Sequence, residues 1–333
     1  MSIAAPLAPD ASGCLDMDQR PVKTVDDAII TPASYDPSRH RIGGAVYDGP
    51  GLVEEALRTS ALGWVHGDRR SLAEPLEPSI EVAEAVYLGR FFAHFGHFLL
   101  ETLPALGHAG PDDALVFHPW PESLPHEWIG AIFRGFLLEA AGVRPSRISL
   151  AHEVTRVRHL KVPRREQVIL GDIGPVALGI YERVRHSSLK KGRGGFPKRV
   201  YLSRRRYPSK RLVVNEAHVE ALFEAWGFTV VFPEELPMAD QVRLAFEAEV
   251  LAGVEGSAMH LCLFMARGSK AVLIQHDHPI QQAIFLTNEA QGIETVSLTA
   301  CYPESSALPG RTRVDLGSVE KGLAAALGAR KTR

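Results

Sequence analysis

The apolar positions are easiest to read in the second half of the chain. Arg199–Leu202 is predicted as a strand. Asn215 should cap a helix running to Trp226, with Gly227 ending it. Phe228–Phe232 then reads as a strand and Met238–Ala248 as a helix. Val250–Val254 is a strand, with a helix opening near Ser257. Ala271–Gln275 is a strand, Ile280–Gln291 a helix and Ile293–Leu298 a strand. Strands alternating with helices in this way predict a doubly wound parallel sheet. Ligands of such sheets bind beyond the carboxyl ends of the strands, so the loops after Leu202, Phe232, Val254 and Gln275 are the places to look. A last helix, Ser318–Ala329, has an apolar face that either half could accept.

The first half is less regular. Residues 1–40 are rich in Ala, Pro, Asp and Ser without sustained periodicity and read as a loose arm. Ala85–Leu88 reads as a strand, Phe91 to about Leu106 as a helix, and Ala114–Phe117 as a strand. Trp128, Ile129, Ile132, Phe133, Phe136 and Leu137 recur at helical spacing over Glu127–Ala141, with Gly142 as the stop. Arg147–Leu150 and Arg156–Val162 read as strands and Val176–Leu189 as a helix. Gly and Pro concentrate between Lys190 and Pro197, which marks a boundary. The expected organisation is an arm over 1–40, an α/β domain over 41–190 and a linker over 191–197. A second α/β domain follows over 198–315, then a helix and tail over 316–333.

Composition adds one feature to this picture. The 333 residues carry 37 Lys+Arg against 39 Asp+Glu, a formal net charge of −2. Twelve of those basic residues lie between Arg183 and Arg211, a stretch with no Asp or Glu, so the rest of the chain is distinctly acidic. A local excess of positive charge calls for an anionic partner: phosphate, nucleic acid or an acidic membrane. Cys14, Cys262 and Cys301 are widely spaced and form neither a metal motif nor a disulfide framework, which fits a reducing compartment. Met1–Ser12 lacks the charged start and apolar core of a signal peptide. No apolar run approaches the roughly 20 residues that span a bilayer. The expectation is a cytoplasmic protein, with peripheral association at the inner face of the cytoplasmic membrane as an additional option.

Three constellations carry candidate chemistry. Ser203, Arg204 and Arg205 follow the first strand of the second domain, with Arg211 and the helix start Asn215-Glu216 just beyond; paired guanidinium donors suit a phosphate there. Gly256 and Ser257 follow the strand ending at Val254 and open a helix, so free N–H groups and the positive helix end favour an anion, with Ser257 and His260 adding donors. His94, His97 and Glu101 are spaced three and four residues apart and share one helix face. A carboxylate beside an imidazole is a general-base pair. A zinc site is the rival reading of that triplet, although the spacing is not His-Glu-x-x-His. Asp16 and Asp18 and the pair His276 and His278 are weaker signals; a loop satisfied by its own contacts is the simpler reading of the latter.

Together these pieces resemble glycosyltransferase family 61, whose bacterial members are often described as capsular polysaccharide biosynthesis proteins. The matching stretches are His97-Phe98-Leu99-Leu100-Glu101-Thr102-Leu103-Pro104, Tyr201-Leu202-Ser203-Arg204-Arg205, Arg211, Asn215-Glu216, Gly227-Phe228, Pro233-Glu234, Gln241, and Gly253 to Ala258. The chain departs from the family's pattern at Glu255-Gly256-Ser257-Ala258, where the family often has His-Gly-Ala-Gly, and at His260 and His94, where it often has Asn. The resemblance implies a GT-B architecture, two Rossmann-like domains facing a cleft. It implies inverting, metal-independent transfer from a nucleotide sugar, expected to be a UDP-sugar, to a saccharide or glycolipid acceptor in surface-glycan synthesis, with no cofactor. It extends the donor site to Tyr201, Asn215, Glu216, Glu255 and Ala258. Glu101 is the expected base, with His97 orienting it or serving instead, and His94 beside them. The alternatives are a nucleic-acid-binding protein using the basic stretch, and a non-catalytic member of the same fold. Base stacking would need aromatics interleaved on a second strand, which are missing here.

Overall fold

A computed structural model describes residues 22–36, 41–59, 65–66, 72–121, 123–163, 173–190, 192, 194–207, 212–276, 282–304 and 310–328. The chain is mixed α/β and divides into two compact units, Met1–Arg183 and Val184–Arg333. The division falls inside a helix, Pro175–Lys190, rather than in the Gly- and Pro-rich segment that follows it.

The first unit is built on a mixed seven-stranded sheet. In chain order its strands are β1 (Val22–Ile30), β2 (Val46–Asp48), β3 (Gly51–Leu52), β4 (Ile80–Phe92), β5 (Leu115–Trp120), β6 (Ile148–Leu150) and β7 (Thr155–Pro163). Their order across the sheet is β6-β5-β4-β7-β1-β2-β3. The four strands β6-β5-β4-β7 are parallel and β1 joins antiparallel to β7, so this sheet is not the all-parallel Rossmann type. The strand β1 corrects the reading of residues 1–40 as a loose arm. Val25, Ala28, Ile29 and Ile30 are buried, and the strand pairs with β7 from Val22↔Pro163 to Ile30↔Thr155. Its alternation is interrupted by Asp26 and Asp27, which hid the pattern in sequence.

β4 is longer than predicted because its two halves obey different rules. Glu81 and Glu84 face water and pair across to Arg156, Arg158 and Lys161 on β7. Residues 85–92 are buried without alternation, as expected for a strand covered on both faces. Gly89, at φ +86, sits where the register against β5 slips between Tyr87 and Arg90. That backbone conformation favours glycine, and the bulge redirects the strand end that leads into the next helix.

The second unit holds a five-stranded, fully parallel sheet: β8 (Arg199–Leu202), β10 (Thr229–Val231), β11 (Val250–Val254), β12 (Lys270–Gln275) and β13 (Glu294–Thr299). A small second sheet contains β9 (Leu212–Val213), β14 (Cys301–Pro303) and β15 (Arg311–Val314). The parallel strands run in the order β10-β8-β11-β12-β13. Direction therefore reverses between β8 and β11: the chain leaves β8 toward one edge and returns to build outward from β11 toward the other. Connections diverging at such a point open a crevice at the carboxyl ends of the two strands. Tyr201, Phe223, Phe228, Val254, Ile274 and Leu298 form the core beneath it. The C-terminal helix Leu316–Leu327 buries Val319 and Leu323 in the same core, which settles its place in this unit. Among the described residues, no helix is long and apolar enough to cross a membrane.

Candidate active site

His94, His97 and Glu101 lie where β4 gives way to a continuous helical segment, residues 95–108. The predicted helix start at Phe91 is corrected to Phe95, since Phe91 and Phe92 finish the strand. The segment widens to a π turn over Phe98–Thr102, which ends two residues before Pro104. Proline has no N–H to offer Leu100 O and its ring crowds that carbonyl, and a wider turn relieves both. Thr102 fastens the segment to the strand: its Oγ1 donates to Arg90 O and accepts from Phe92 N, at 3.1 and 3.0 Å. Arg134, on the helix Phe133–Ala140, braces the connection from the other side. It is fully buried, and it donates to Ala93 O at 3.0 Å and Trp128 O at 2.9 Å. Burial pushes its guanidinium below the ordinary value.

Within this frame His97 Nδ1–H donates to Glu101 Oε1 at 2.7 Å. The imidazole stacks on Phe92, with ring centroids 5.1 Å apart, and His94 meets it edge-on at 5.6 Å. The His97 side chain is 50% exposed and that of Glu101 only 9%. The bond to the carboxylate fixes the proton on Nδ1, leaving Nε2 as the ring's outward nitrogen. Among the described residues, no three His, Cys, Asp or Glu side chains gather as a metal-binding group.

In the second unit, the residues expected around a phosphate separate into two sets. Tyr201, Ser203, Asn215 and Glu216 are buried and committed to internal bonds. Tyr201 OH donates to Glu216 Oε1 at 2.8 Å, and Ser203 Oγ donates to Glu220 Oε1 at 2.6 Å. Burial and the Glu216 charge hold the Tyr201 phenol well above its ordinary range, so it stays a donor. Asn215 occupies the N-cap position of the helix Glu216–Ala225 but makes no capping bond. Its amide pairs with Val314 of β15 instead, donating to the carbonyl at 2.8 Å and accepting from the N–H at 3.0 Å. Arg205 is salt-bridged to Glu220, and Arg206 to Glu235 while lying 3.9 Å over the Phe232 ring. Arg211 lies outside the described residues, as do Asp16, Asp18 and His278.

Among the described residues of this motif, Arg204 is the cation that lies at the crevice. It is half-buried, and its Nη1 donates to Glu255 O at 3.2 Å, linking the ends of β8 and β11. The guanidinium passes so close to Gly256 that a Cβ there would come within 2.8 Å of Nη1. Gly256 precedes a 3₁₀ helix, Ser257–Phe264, not the α-helix predicted. Ser257 and Ala258 are partly exposed at its start, while His260 is buried. One neighbour is more engaged than its sequence context indicated. His276, at the end of β12, bonds through Nδ1 to Glu255 Oε1, and its backbone N–H reaches the same oxygen at 3.3 Å. His276 Nε2 lies 3.3 Å from Thr312 Oγ1. Burial pushes the thiols of Cys262 and Cys301 up to about 12, so neither is a nucleophile at neutral pH.

The first unit thus carries a His–carboxylate pair just after a strand end, and the second an arginine over a glycine at its switch point. The glycosyltransferase 61 family model matches residues 95–272, from the start of the His97 helix into β12. The chain belongs to glycosyltransferase family 61, and that membership supports glycosyltransferase activity. No curated protein matches it.

Proposed function

We propose that this chain moves a sugar from a nucleotide-sugar donor, a UDP-sugar in the first instance, to a saccharide hydroxyl with inversion and without a metal. The second unit holds the donor and the first supplies the base and acceptor groups, as the two halves of a GT-B enzyme. The acceptors in view are the growing saccharides or glycolipids of surface-glycan synthesis at the cytoplasmic face of a membrane.

The observation that carries this reading is Arg204 lying over Gly256 at the switch point of the parallel sheet. As the acceptor oxygen bonds to the anomeric carbon, the bond from that carbon to the diphosphate breaks and the electron pair leaves with the diphosphate. Arg204 and the N–H groups at the start of Ser257–Phe264 are fixed donors for that developing charge. The acceptor's proton passes to the pair in the first unit. We assign the base to His97 Nε2, with Glu101 holding the imidazole's tautomer and orientation, because the imidazole is exposed and the carboxylate is not. This reverses the order expected from sequence. The internal pairing of Arg205 and Arg206 supports recognition of one diphosphate over a nucleic-acid backbone. A calorimetric titration of the purified protein with UDP and UDP-sugars tests the reading, which fails if no nucleoside diphosphate binds at millimolar concentration.

A further inference from the structure

We propose that Glu255 and His276 form a hydroxyl-reading subsite of the donor pocket, distinct in chemistry from the phosphate-binding part built on Arg204. The inference rests on the function proposed above and assigns a specificity role to the site. Glu255 closes β11 and its side chain is only 4% exposed, whereas the His276 ring is 27% exposed. A carboxylate can only accept hydrogen bonds. Placed at the mouth of an anion site it repels phosphate, so Glu255 is a poor direct ligand for the diphosphate. Its geometry gives it another task. The Glu255 carboxylate takes the imidazole's Nδ1–H and the His276 backbone N–H on the same oxygen, which pins the ring and its tautomer. Nε2 is then an acceptor, and 3.3 Å from it stands a hydroxyl, that of Thr312. A group at that distance from a hydroxyl is only loosely engaged, so a ligand hydroxyl can take its place.

Arg204 ties this subsite to the phosphate contacts, since its guanidinium bonds the carbonyl of the same Glu255. The ends of β8, β11 and β12 thus present, side by side, a cation for phosphate oxygens and an acceptor for a hydroxyl. A nucleotide sugar carries both groups within one short span. The hydroxyl belongs either to the ribose or to the transferred sugar, and both are donors of the same chemistry.

The test uses the full chain and its His276→Ala and His276→Gln variants, with pyrophosphate, UDP, 2′-deoxy-UDP and UDP-glucose as calorimetric probes. A ribose contact predicts that the wild type prefers UDP over 2′-deoxy-UDP by about tenfold, one hydrogen bond's worth. His276→Ala should abolish that preference and leave pyrophosphate affinity unchanged. A sugar contact predicts equal binding of the two nucleotides and about tenfold weaker UDP-glucose binding by His276→Ala, with UDP unaffected. Glutamine places an acceptor near the Nε2 position, so His276→Gln should restore part of either loss. The inference is overturned if His276→Ala, or His276→Gln should the former not fold, binds all probes as the wild type does, or weakens them all equally, pyrophosphate included. Wild-type protein that binds none of these probes overturns the proposed function itself, a distinct result.

Discussion

His97 is half exposed while the carboxylate beside it is nearly buried, and the roles proposed for the two rest on that order. Replacing His97 with Ala should lower kcat by about 10²–10⁴ while donor affinity holds. Glu101→Gln keeps an oxygen for Nδ1–H but loses its charge, so its loss in kcat should be smaller than that of His97→Ala. Equal donor Kd values in both variants would place the defect in chemistry, and an undiminished kcat in His97→Ala would remove the assignment. Arg204→Ala should instead raise the donor Kd and lower kcat together, by about 10²-fold in kcat. Arg204→Lys should recover little, because a lysine cannot reproduce the guanidinium fork. At this scale the sequence was informative about residue type and less so about role. The i, i+4 spacing of His97 and Glu101 is visible in the chain, but their relative exposure depends on the π turn and on Phe92. Arg134 gave no signal, since a lone Arg in an amphipathic helix looks like a surface residue, and His276 gave only a weak one, its place after a strand, which a loop satisfied by its own contacts explains as well.

At the scale of elements, several motif residues are committed to internal bonds. Asn215 ties the start of the helix Glu216–Ala225 to β15, so Asn215→Ala would leave a buried N–H and C=O on Val314 without partners. A cost of about 2–4 kcal/mol in urea unfolding is expected; a change within error would show that water takes over both bonds. Glu216 offers a pH test. Burial lifts its carboxyl above the ordinary value of 4.5, against the opposing bonds from Tyr201 and the Arg204 N–H. The folded state therefore holds this proton more tightly than the unfolded chain. The stability it contributes is full below about pH 4.5 and is lost as pH rises through the folded value. Glu216→Gln lacks that proton, so its stability should change less with pH across the window, measured by unfolding at several pH values; a slope equal to the wild type's would contradict the burial argument. Strand and helix positions in the second unit were legible because each element keeps one period. In the first unit β1 and β4 change burial along their length, and the helix expected from Glu127 starts only at Phe133, after Ile132 at φ 57.

For the whole molecule, the parallel sheet could be read from the alternation of elements, but its strand order could not. That order is set by which connection crosses back over β8, and it is what brings the ends of β8 and β11 together. The mixed character of the first sheet was equally hidden, because antiparallel pairing of β1 is decided 133 residues away, at His159 opposite Asp26. Among the described residues of the basic stretch that stood out in composition, five are engaged within the second unit. Arg185 bonds Met265 O, Lys198 bonds Glu247 O, Arg199 bonds Trp226 O, and Arg205 and Arg206 are salt-bridged. Oligonucleotide binding should accordingly be weak and should vanish as salt rises.

Whether a nucleotide sugar is the donor can be read from thermal unfolding against a nucleotide-sugar panel. A ligand present at 100 times its Kd should stabilise the fold by about 2.7 kcal/mol. A saturable rise in Tm is expected with UDP and with at least one UDP-sugar, reduced in Arg204→Ala. A Tm that no nucleoside diphosphate or nucleotide sugar moves, even at millimolar concentration, would contradict it.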